Sequence, residues 1–407
     1  MVERARLYLI DRFTTNADIK PSKPPCVQLK LRRDFKCMSE EERQKFVDII
    51  RRLYLDRSMD MLGDIHARHW GTVHKSAEFS PFHRYIIYKL EEKIATIDPT
   101  VTVPYWSDPY DFSAPEKSIL FKYFGTYGQH VDGFCVKDGL FTGLNLTRCV
   151  RRQWYDGKMP TLESPEMVTS WLQRSTDFPT GVALHGGSHF VPHLAVGGYA
   201  GDMSVETAAH DILFYMFHQY YTEVLTYKLQ LKDDRLLTPL SYNLMSRVDT
   251  TTGAYKTANI YTDVLTHWTN VTIAEVFHLG FGEFCSISDR SVLDINRHLN
   301  GERPVLPNAI QELPQMVKTL FFPAFASDNY TWFDVELDDT GDDCNPGCKP
   351  VPKFQAYSDT PHGIRMMRGF DDNSNPLSIN GLALSQMYMF ALTDALNMMG
   401  YCSPFIP

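Results

Sequence analysis

The segment Glu78-Phe-Ser-Pro-Phe-His-Arg84 leads into a stretch of helical periodicity and carries His83 near its start. Two more histidines precede it, and a second set of three follows about a hundred residues later. The two sets are His66, His74 and His83, then His185, His189 and His218. Neutral imidazoles bind copper or zinc, and a facing pair of copper ions is suited to binding dioxygen. The histidine spacing therefore predicts two neighbouring three-histidine metal sites.

The second set combines a local pair with one distant residue. His185-Gly-Gly-Ser-His189 places two imidazoles four residues apart, so they lie on one helix face about a turn from each other. His218 shares its helix face with apolar residues at i−4, i+3 and i+7, namely Phe214, Tyr221 and Leu225. Taken alone, a buried histidine there is more often an ordinary core residue. Beside an HxxxH pair, a ligand role is favoured.

Composition excludes two classes of partner. The chain has 407 residues, 43% of them hydrophobic, and a net charge of −9. An acidic balance argues against nucleic acid and anionic membranes, which both demand basic patches. The most apolar stretch, residues 381–401, is interrupted by polar side chains and is interpreted as a buried helix rather than a membrane span.

Eight cysteines and three glycosylation sequons favour an oxidising compartment. Three local pairs, 26/37, 135/149 and 344/348, are typical of disulfides, and Cys285 with Cys402 would tie the C-terminal tail to the body. The sequons begin at Asn145, Asn270 and Asn329. The N-terminus is charged and lacks the apolar core of a signal peptide. We expect a secreted protein whose signal has been removed, with a cytoplasmic protein as the alternative.

Helical patterns dominate the first 300 residues. Ser39 and Glu42 form a capping box before an apolar face at helical spacing, and further helices are predicted over 61–69, 84–98, 165–174, 185–193 and 210–229. Residues 1–37 resemble an extended basic arm, Val101–Trp106 a short β-like run, and 107–180 a mostly irregular region. We predict one domain over 1–300 and a C-terminal extension over 301–407, which packs on the core as a cap. The acidic run Asp338–Asp343 is interpreted as a solvated loop beside a small disulfide.

Two motifs carry a resemblance to a known family. Glu78-Phe-Ser-Pro-Phe-His-Arg84, followed by Val101-Thr-Val-Pro-Tyr-Trp106, resembles the first copper motif of the tyrosinase, catechol oxidase and molluscan haemocyanin family. His185-Gly-Gly-Ser-His189, then Gly197-Gly198 and Asp211 to His218, resembles the second. The resemblance covers residues 30 to 230. It implies a mainly α fold in which a four-helix bundle, with long irregular loops, grips two copper ions.

The resemblance assigns one ion to His66, His74 and His83, and the other to His185, His189 and His218. His69 is a rival to His66, whereas His193 and His210 are interpreted as spare residues. The second motif departs from the family at three positions: Ile212 replaces a helix-opening proline, Phe217 an adjacent histidine, and Thr222 an aspartate. Thr72 excludes the thioether crosslink of some relatives. The short spacing between His66 and His74 resembles a metazoan- or fungal-like branch.

The implied chemistry is oxidation of phenols or catechols to o-quinones by dioxygen. A dry aromatic lining is expected from Phe82, Phe190 and Phe214. In the family, hydroxylation of a monophenol uses a water held by an acidic residue and by an asparagine just after the first ligand of the second site. That next position is Gly186 here, which offers no side-chain acceptor, and Asp177 is the candidate acid. Diphenolase activity is therefore predicted ahead of monophenolase activity, on a small phenol or a protein tyrosine.

Two other classes of function compete with a copper oxidase. The first is an oxygen carrier or silent copper protein with the same two sites and blocked access, although single-domain length argues against a carrier. The second is a zinc or structural protein, which two complete histidine triads make a poor match. Oxidation of added catechol separates the oxidase from the carrier, and metal analysis separates both from the zinc protein.

Overall fold

Helices build most of the computed structural model, which describes residues 1–16, 19–74, 76–222, 227–232, 239–336, 388 and 390–405. The first eight helices are α1 Val2–Asp11, α2 Glu40–Leu55, α3 Ser58–Val73, α4 Phe79–Ala95, α5 Leu120–Phe124, α6 Pro165–Arg174, α7 Phe178–Gly197 and α8 Ile212–Thr222. Seven more follow: α9 Leu229–Lys232, α10 Pro239–Tyr242, α11 Ile273–Phe277, α12 Asp289–Leu299, α13 Asn308–Gln311, α14 Gln315–Phe321 and α15 Pro323–Ala326. Residues 390–398 are also helical. The predicted mainly α class is confirmed.

The four helices α3, α4, α7 and α8, which carry most of the grouped histidines, pack on one another. Helix α4 contacts α3 and α8, and α7 contacts α8. Helix α2 packs outside them through Phe46, Ile49, Ile50 and Leu53, all buried. Its predicted capping box is present, because Ser39 accepts a hydrogen bond from the amide of Glu42 while the Glu42 carboxylate accepts one from the amide of Ser39.

Short strands fasten the loops to this helical core. Strand β1 (Lys30–Arg32) pairs in parallel with β4 (Ser286–Ser288), and β2 (Ser246–Val248) pairs antiparallel with β3 (Tyr255–Thr257). The β-like run before Trp106 stays extended and makes a single bridge, between Tyr105 and Asp34. Residues 96–164 otherwise contain α5 and several 3-10 turns, as the predicted irregular region requires.

The prediction of an extended arm over residues 1–37 is wrong at its start. Residues Val2–Asp11 form α1, whose Ala5 and Leu9 are fully buried and share a hydrophobic cluster with Val292 and Ile295 of α12. Because Ala5 and Leu9 are four residues apart, they lie on one helix face. Burial of that face against α12 stabilises the helix. The charged side chains between the apolar positions make the helical pattern hard to see in the sequence.

Two of the four predicted disulfide pairings are wrong. Cys26 bonds to Cys285 across 259 residues, because the parallel pairing of β1 with β4 brings the two together. Neither the pairing of Cys26 with Cys37 nor that of Cys285 with Cys402 can therefore form; Cys402 is in a different disulfide. The pairing of Cys135 with Cys149 is confirmed. The pairing of Cys344 with Cys348 and the acidic run before it lie outside the described residues.

The described part of residues 301–407 packs on α6. The buried Glu166 carboxylate accepts hydrogen bonds from Tyr401 Oη at 2.9 Å and Ser403 Oγ at 2.6 Å. Ser170 donates to the Phe321 carbonyl at 2.7 Å. The domain boundary at residue 300 and the role of a cap remain predictions. In the part of the chain that the structure describes, no helix is long and apolar enough to cross a bilayer.

A buried ion pair fixes the start of α8. Arg152 and Asp211 are both fully buried, and the guanidinium donates to the carboxylate through Nε at 2.7 Å and Nη2 at 2.8 Å. Arg152 Nη1 also donates to the carbonyls of Phe124 and Gly125, at 3.1 Å and 2.5 Å. Asp211 in turn accepts from the Leu213 amide at the first turn of α8. This pair joins the irregular region to a histidine-bearing helix.

We expect R152M to destabilise the copper-free protein by about 3–5 kcal/mol, because it leaves the Asp211 charge buried and unpaired. R151M is the matched control. It removes a half-exposed arginine from Asp202, which Arg148 continues to neutralise, so its cost is expected below about 1 kcal/mol. Urea unfolding measures both, and equal costs would contradict the role of the buried pair.

Candidate metal centre

The first histidine triad is assembled by α3 and α4. His66 lies inside α3, His74 follows its last residue, and His83 lies in the first turns of α4. Their candidate ligand nitrogens lie within 4.8 Å of one another. His66 and His83 are buried, whereas His74 is half-buried. The structure thus brings together the three residues that the sequence grouped.

The second triad is formed by His189, His193 and His218. His193 Nε2 lies 2.9 Å from His189 Nε2 and 3.1 Å from His218 Nε2, and all three side chains are buried. His189 and His193 are one turn apart on α7, and His218 reaches them from α8. This cluster contains His193, which sequence analysis interpreted as a spare residue.

Backbone carbonyls orient four of the six rings. The Nδ1 atoms of His66 and His74 lie 2.9 Å and 3.0 Å from the carbonyl oxygens of Glu206 and Trp70. Those of His83 and His193 lie 2.6 Å from the carbonyls of Phe79 and Met203. Because a carbonyl only accepts, each Nδ1 carries the proton and donates it. Each Nε2 therefore presents a lone pair to the interior of the site, as a metal ligand must.

The residues present fit metal ions in both triads. Nε2 of His66 and of His83 is buried without a hydrogen-bond partner among the described residues, which is costly unless an ion binds it. In the second triad, the Nε2 atom of His193 lies close to those of His189 and His218, so one cation could take all three nitrogens as ligands. A donor set of imidazoles alone suits copper or zinc rather than magnesium or calcium.

Burial keeps the imidazoles in the neutral form that binds metals. It lowers the pKa of His66 to about 3 and that of His193 to about 4. Burial, and then the neighbouring histidines, hold the pKa of His74, His83 and His218 well below the ordinary value. Near neutral pH these five rings are uncharged.

The two triads face each other across stacked rings. His83 and His218, one from each triad, have ring centroids 4.2 Å apart and planes only 7° from parallel. Phe214 spans the pair of triads, with centroids 4.8 Å from His66 and 4.2 Å from His218. The Phe79 ring also contacts both triads, with its centroid 4.6 Å from that of His83 and 4.8 Å from that of His189. The sequence motif around Phe79 does not indicate that this ring lies between the triads.

The rivals for ligand positions lie in different surroundings. His69 faces His267 rather than the first triad, and His210 Nε2 lies 3.3 Å from Asp64. His185 is on α7 one turn before His189, in a part of the helix whose side chains are outside the described residues. Its ligand role remains a prediction. The missed signal for His193 is that HxxxH occurs twice, at 185/189 and at 189/193.

The three predicted catalytic residues differ in what the structure says of them. Phe214 is fully buried and contacts both triads. Asp177 is half-buried just before α7, where its carbonyl accepts from the Gly181 amide at 2.9 Å. Gly186 lies in α7 among the residues whose side chains are not described. Roles in the reaction for Asp177, Gly186 and Phe214 remain predictions. Among the other lining candidates, Phe82 lies beside His83, with ring centroids 5.9 Å apart.

Comparison with known proteins identifies the central part of the chain. Residues 56–180 match the model of the common central domain of tyrosinase. A putative tyrosinase-like protein of Caenorhabditis elegans is 26% identical over 208 residues, which are 47% of this chain and 29% of that protein. A tyrosinase of Aspergillus flavus, ustQ, is 26% identical over 230 residues, or 48% of this chain and 62% of its own length. The chain thus covers less than two thirds of both curated relatives.

Among solved structures, a polyphenol oxidase variant from Thermothelomyces thermophila aligns with a TM-score of 0.48 at 17% identity. The alignment covers 70% of this chain and 96% of that one. The match to the tyrosinase central domain begins just after α2, ends at the start of α7 and contains the whole first triad. Residues 56–180 therefore carry the common central domain of tyrosinase, and the chain is similar to tyrosinase-like proteins in about half of its length.

Proposed function

We propose that this protein oxidises phenols or catechols to o-quinones with dioxygen, using two copper ions. The observation that carries the proposal is the pair of imidazole triads that face each other across the His83–His218 stack. One ion would be held by His66, His74 and His83, and the other by His189, His193 and His218. When bound, a copper pair supplies the redox chemistry that couples two-electron oxidation of a catechol to reduction of dioxygen.

The chain's own residues hold and shield that chemistry. Hydrogen bonds from Nδ1 to backbone carbonyls fix the ring orientations, so little reorganisation is needed when the ions bind. Phe79, Phe214 and Phe217 contact the rings from several sides and exclude water from the space between them. Aromatic rings therefore line the space between the triads, which limits the access of water to it.

The route for a substrate leads past His74. It is half-buried, whereas the other five members of the two triads are buried. The half-buried Trp70 lies beside it, with ring centroids 5.4 Å apart. An aromatic substrate arriving from solvent would therefore meet the first triad at His74, where the indole offers an apolar surface.

Catechols are proposed as better substrates than monophenols. A monophenol must lose its proton before it can be hydroxylated, and an acceptor beside the second site would favour this. If His189 is the first ligand of that site, the next residue is Phe190; if His185 is, the next is Gly186. Neither side chain accepts a proton or holds a water, so the preference is the same for both assignments.

We propose that the protein is secreted and glycosylated, because its sequons are exposed and it contains disulfides. All three sequon asparagines, Asn145, Asn270 and Asn329, are exposed. The disulfides at Cys26–Cys285 and Cys135–Cys149 are typical of an oxidising compartment.

Substitution of His193 and of His185 distinguishes the two ligand sets. We expect H193N to lose one of two bound copper ions and to lower catechol oxidation by about 100-fold or more, because it removes a donor nitrogen from the second triad. H185N, its matched control two HxxxH steps earlier on α7, is expected to keep both ions and most activity. Copper content by atomic absorption and quinone formation measure both. The reverse result would restore the ligand set predicted from sequence.

Substrate preference is tested with a catechol and the monophenol of the same side chain. We expect the copper-loaded protein to form quinone from the catechol at once, and from the monophenol at least about tenfold more slowly, because the proton acceptor is missing. Quinone absorbance and oxygen consumption measure both reactions. Equal rates would contradict the preference. Two bound copper ions with no oxidation of either compound would favour the oxygen-carrier alternative.

Copper removal is expected to make stability fall as pH drops below 6.5. Burial holds the pKa of His66 at about 3 and that of His193 at about 4, so below the unfolded pKa of about 6.5 the unfolded chain binds more protons. Between pH 6.5 and pH 5, each of these two rings then lowers the free energy of unfolding by on the order of 2 kcal/mol. Urea unfolding of the copper-free protein measures the loss. H193Q should lose less over the same interval; an unchanged pH dependence would contradict the assignment.

A further inference from the structure

A third group of imidazoles lies on the outer side of α3, apart from both triads. His69 Nε2 is 3.2 Å from His267 Nδ1, and both side chains are half-buried. The Phe82 ring separates this pair from the first triad, since its centroid is 6.4 Å from that of His69 and 5.9 Å from that of His83. The pair therefore cannot share an ion with His66, His74 and His83.

The distance between the two nitrogens matches two ligands of one ion. With metal–nitrogen bonds of 2.0–2.1 Å, two imidazole nitrogens on one ion are about 2.9 Å apart at a right angle and about 3.3 Å apart at the tetrahedral angle. A hydrogen bond between the two rings would have the same length, with one ring nitrogen donating its proton to the other. The ring centroids are 5.2 Å apart and the planes meet at 54°, so the two rings are not stacked and approach each other through their nitrogen atoms.

The surroundings leave room for the remaining ligands of an ion. An open pocket beside the pair is lined by His267 and by residues of α3 and its N-terminal flank: Arg57, Asp60, Met61, Asp64, Ile65 and Arg68. Two aspartates offset the two arginines, although Arg68 opposes a cation at both rings. Partial burial, then the neighbouring charges, lower the pKa of both histidines, so both are neutral ligands near pH 7.

We propose that His69 and His267 form an accessory site for a single Cu²⁺ ion, with water completing the coordination. Among first-row divalent metal ions, Cu²⁺ binds a site of imidazole nitrogens most tightly. The site is open to solvent, unlike the triads, and its His69 lies on α3, the helix that also carries His66. It is independent of any activity at the triads.

The test adds one equivalent of Cu²⁺ to the copper-loaded protein and records its electron paramagnetic resonance spectrum. We expect the signal of an isolated Cu²⁺ ion with nitrogen hyperfine structure. H267A and H69A are expected to weaken binding of this ion by at least about tenfold, because each removes one of two protein donors. H130A, which removes an exposed histidine from a loop turn, is the matched control and should leave the signal unchanged.

The difference spectrum between the wild-type chain and H267A measures this site whatever the triads contain, so its outcome is separate from that of the proposed oxidation. Copper bound to the triads should be the same in H267A as in the wild-type chain. An added ion that gives the same signal in H267A, or no bound ion in the wild-type chain, would overturn the proposal and leave a hydrogen-bonded histidine pair.

Discussion

The packing of six imidazoles around two points, five of them buried and His74 half-buried, is the constraint on which the centre of this protein depends. Neutral rings tolerate burial, but their nitrogen atoms must be bound. Nδ1 is bound by the chain itself in at least four of them, through carbonyls of Glu206, Trp70, Phe79 and Met203. Nε2 is left for an ion. Helix positions, ring orientation and protonation state all follow from this division between the two ring nitrogens.

Buried polar contacts outside the triads hold the helices that satisfy this constraint. Arg152 and Asp211 fix the start of α8, and Tyr54 Oη donates to the His210 carbonyl at 2.8 Å in the same turn. Gly63 lets this turn approach α3, since a Cβ there would lie 2.5 Å from the His210 ring. At the start of α4, buried Glu78 accepts from Arg247 and from Thr266 Oγ1, which anchors the residue before Phe79. Burial raises the pKa of Glu78.

Local sequence signals predicted the helices well and the long-range connections poorly. The capping box at Ser39 and the periodicity of 165–174 gave helices that the structure contains, because both signals act within one or two turns. His66 was preferred to His69, and His66 is the one inside the first triad. The Cys26–Cys285 bond was missed because it depends on pairing of strands 259 residues apart. No local pattern encodes that pairing.

The sequence by itself determined the helical class, the donor type and the first triad, because these follow from residue chemistry and from spacing along single helices. Tertiary structure decided which histidines of α7 meet His218. His185, His189 and His193 repeat every four residues, so they lie along one face of the helix and are equivalent in pattern. The height at which α8 crosses α7 brings His218 to within 3.1 Å of His193. The position of that crossing is set by packing between helices, which spacing within one helix does not specify.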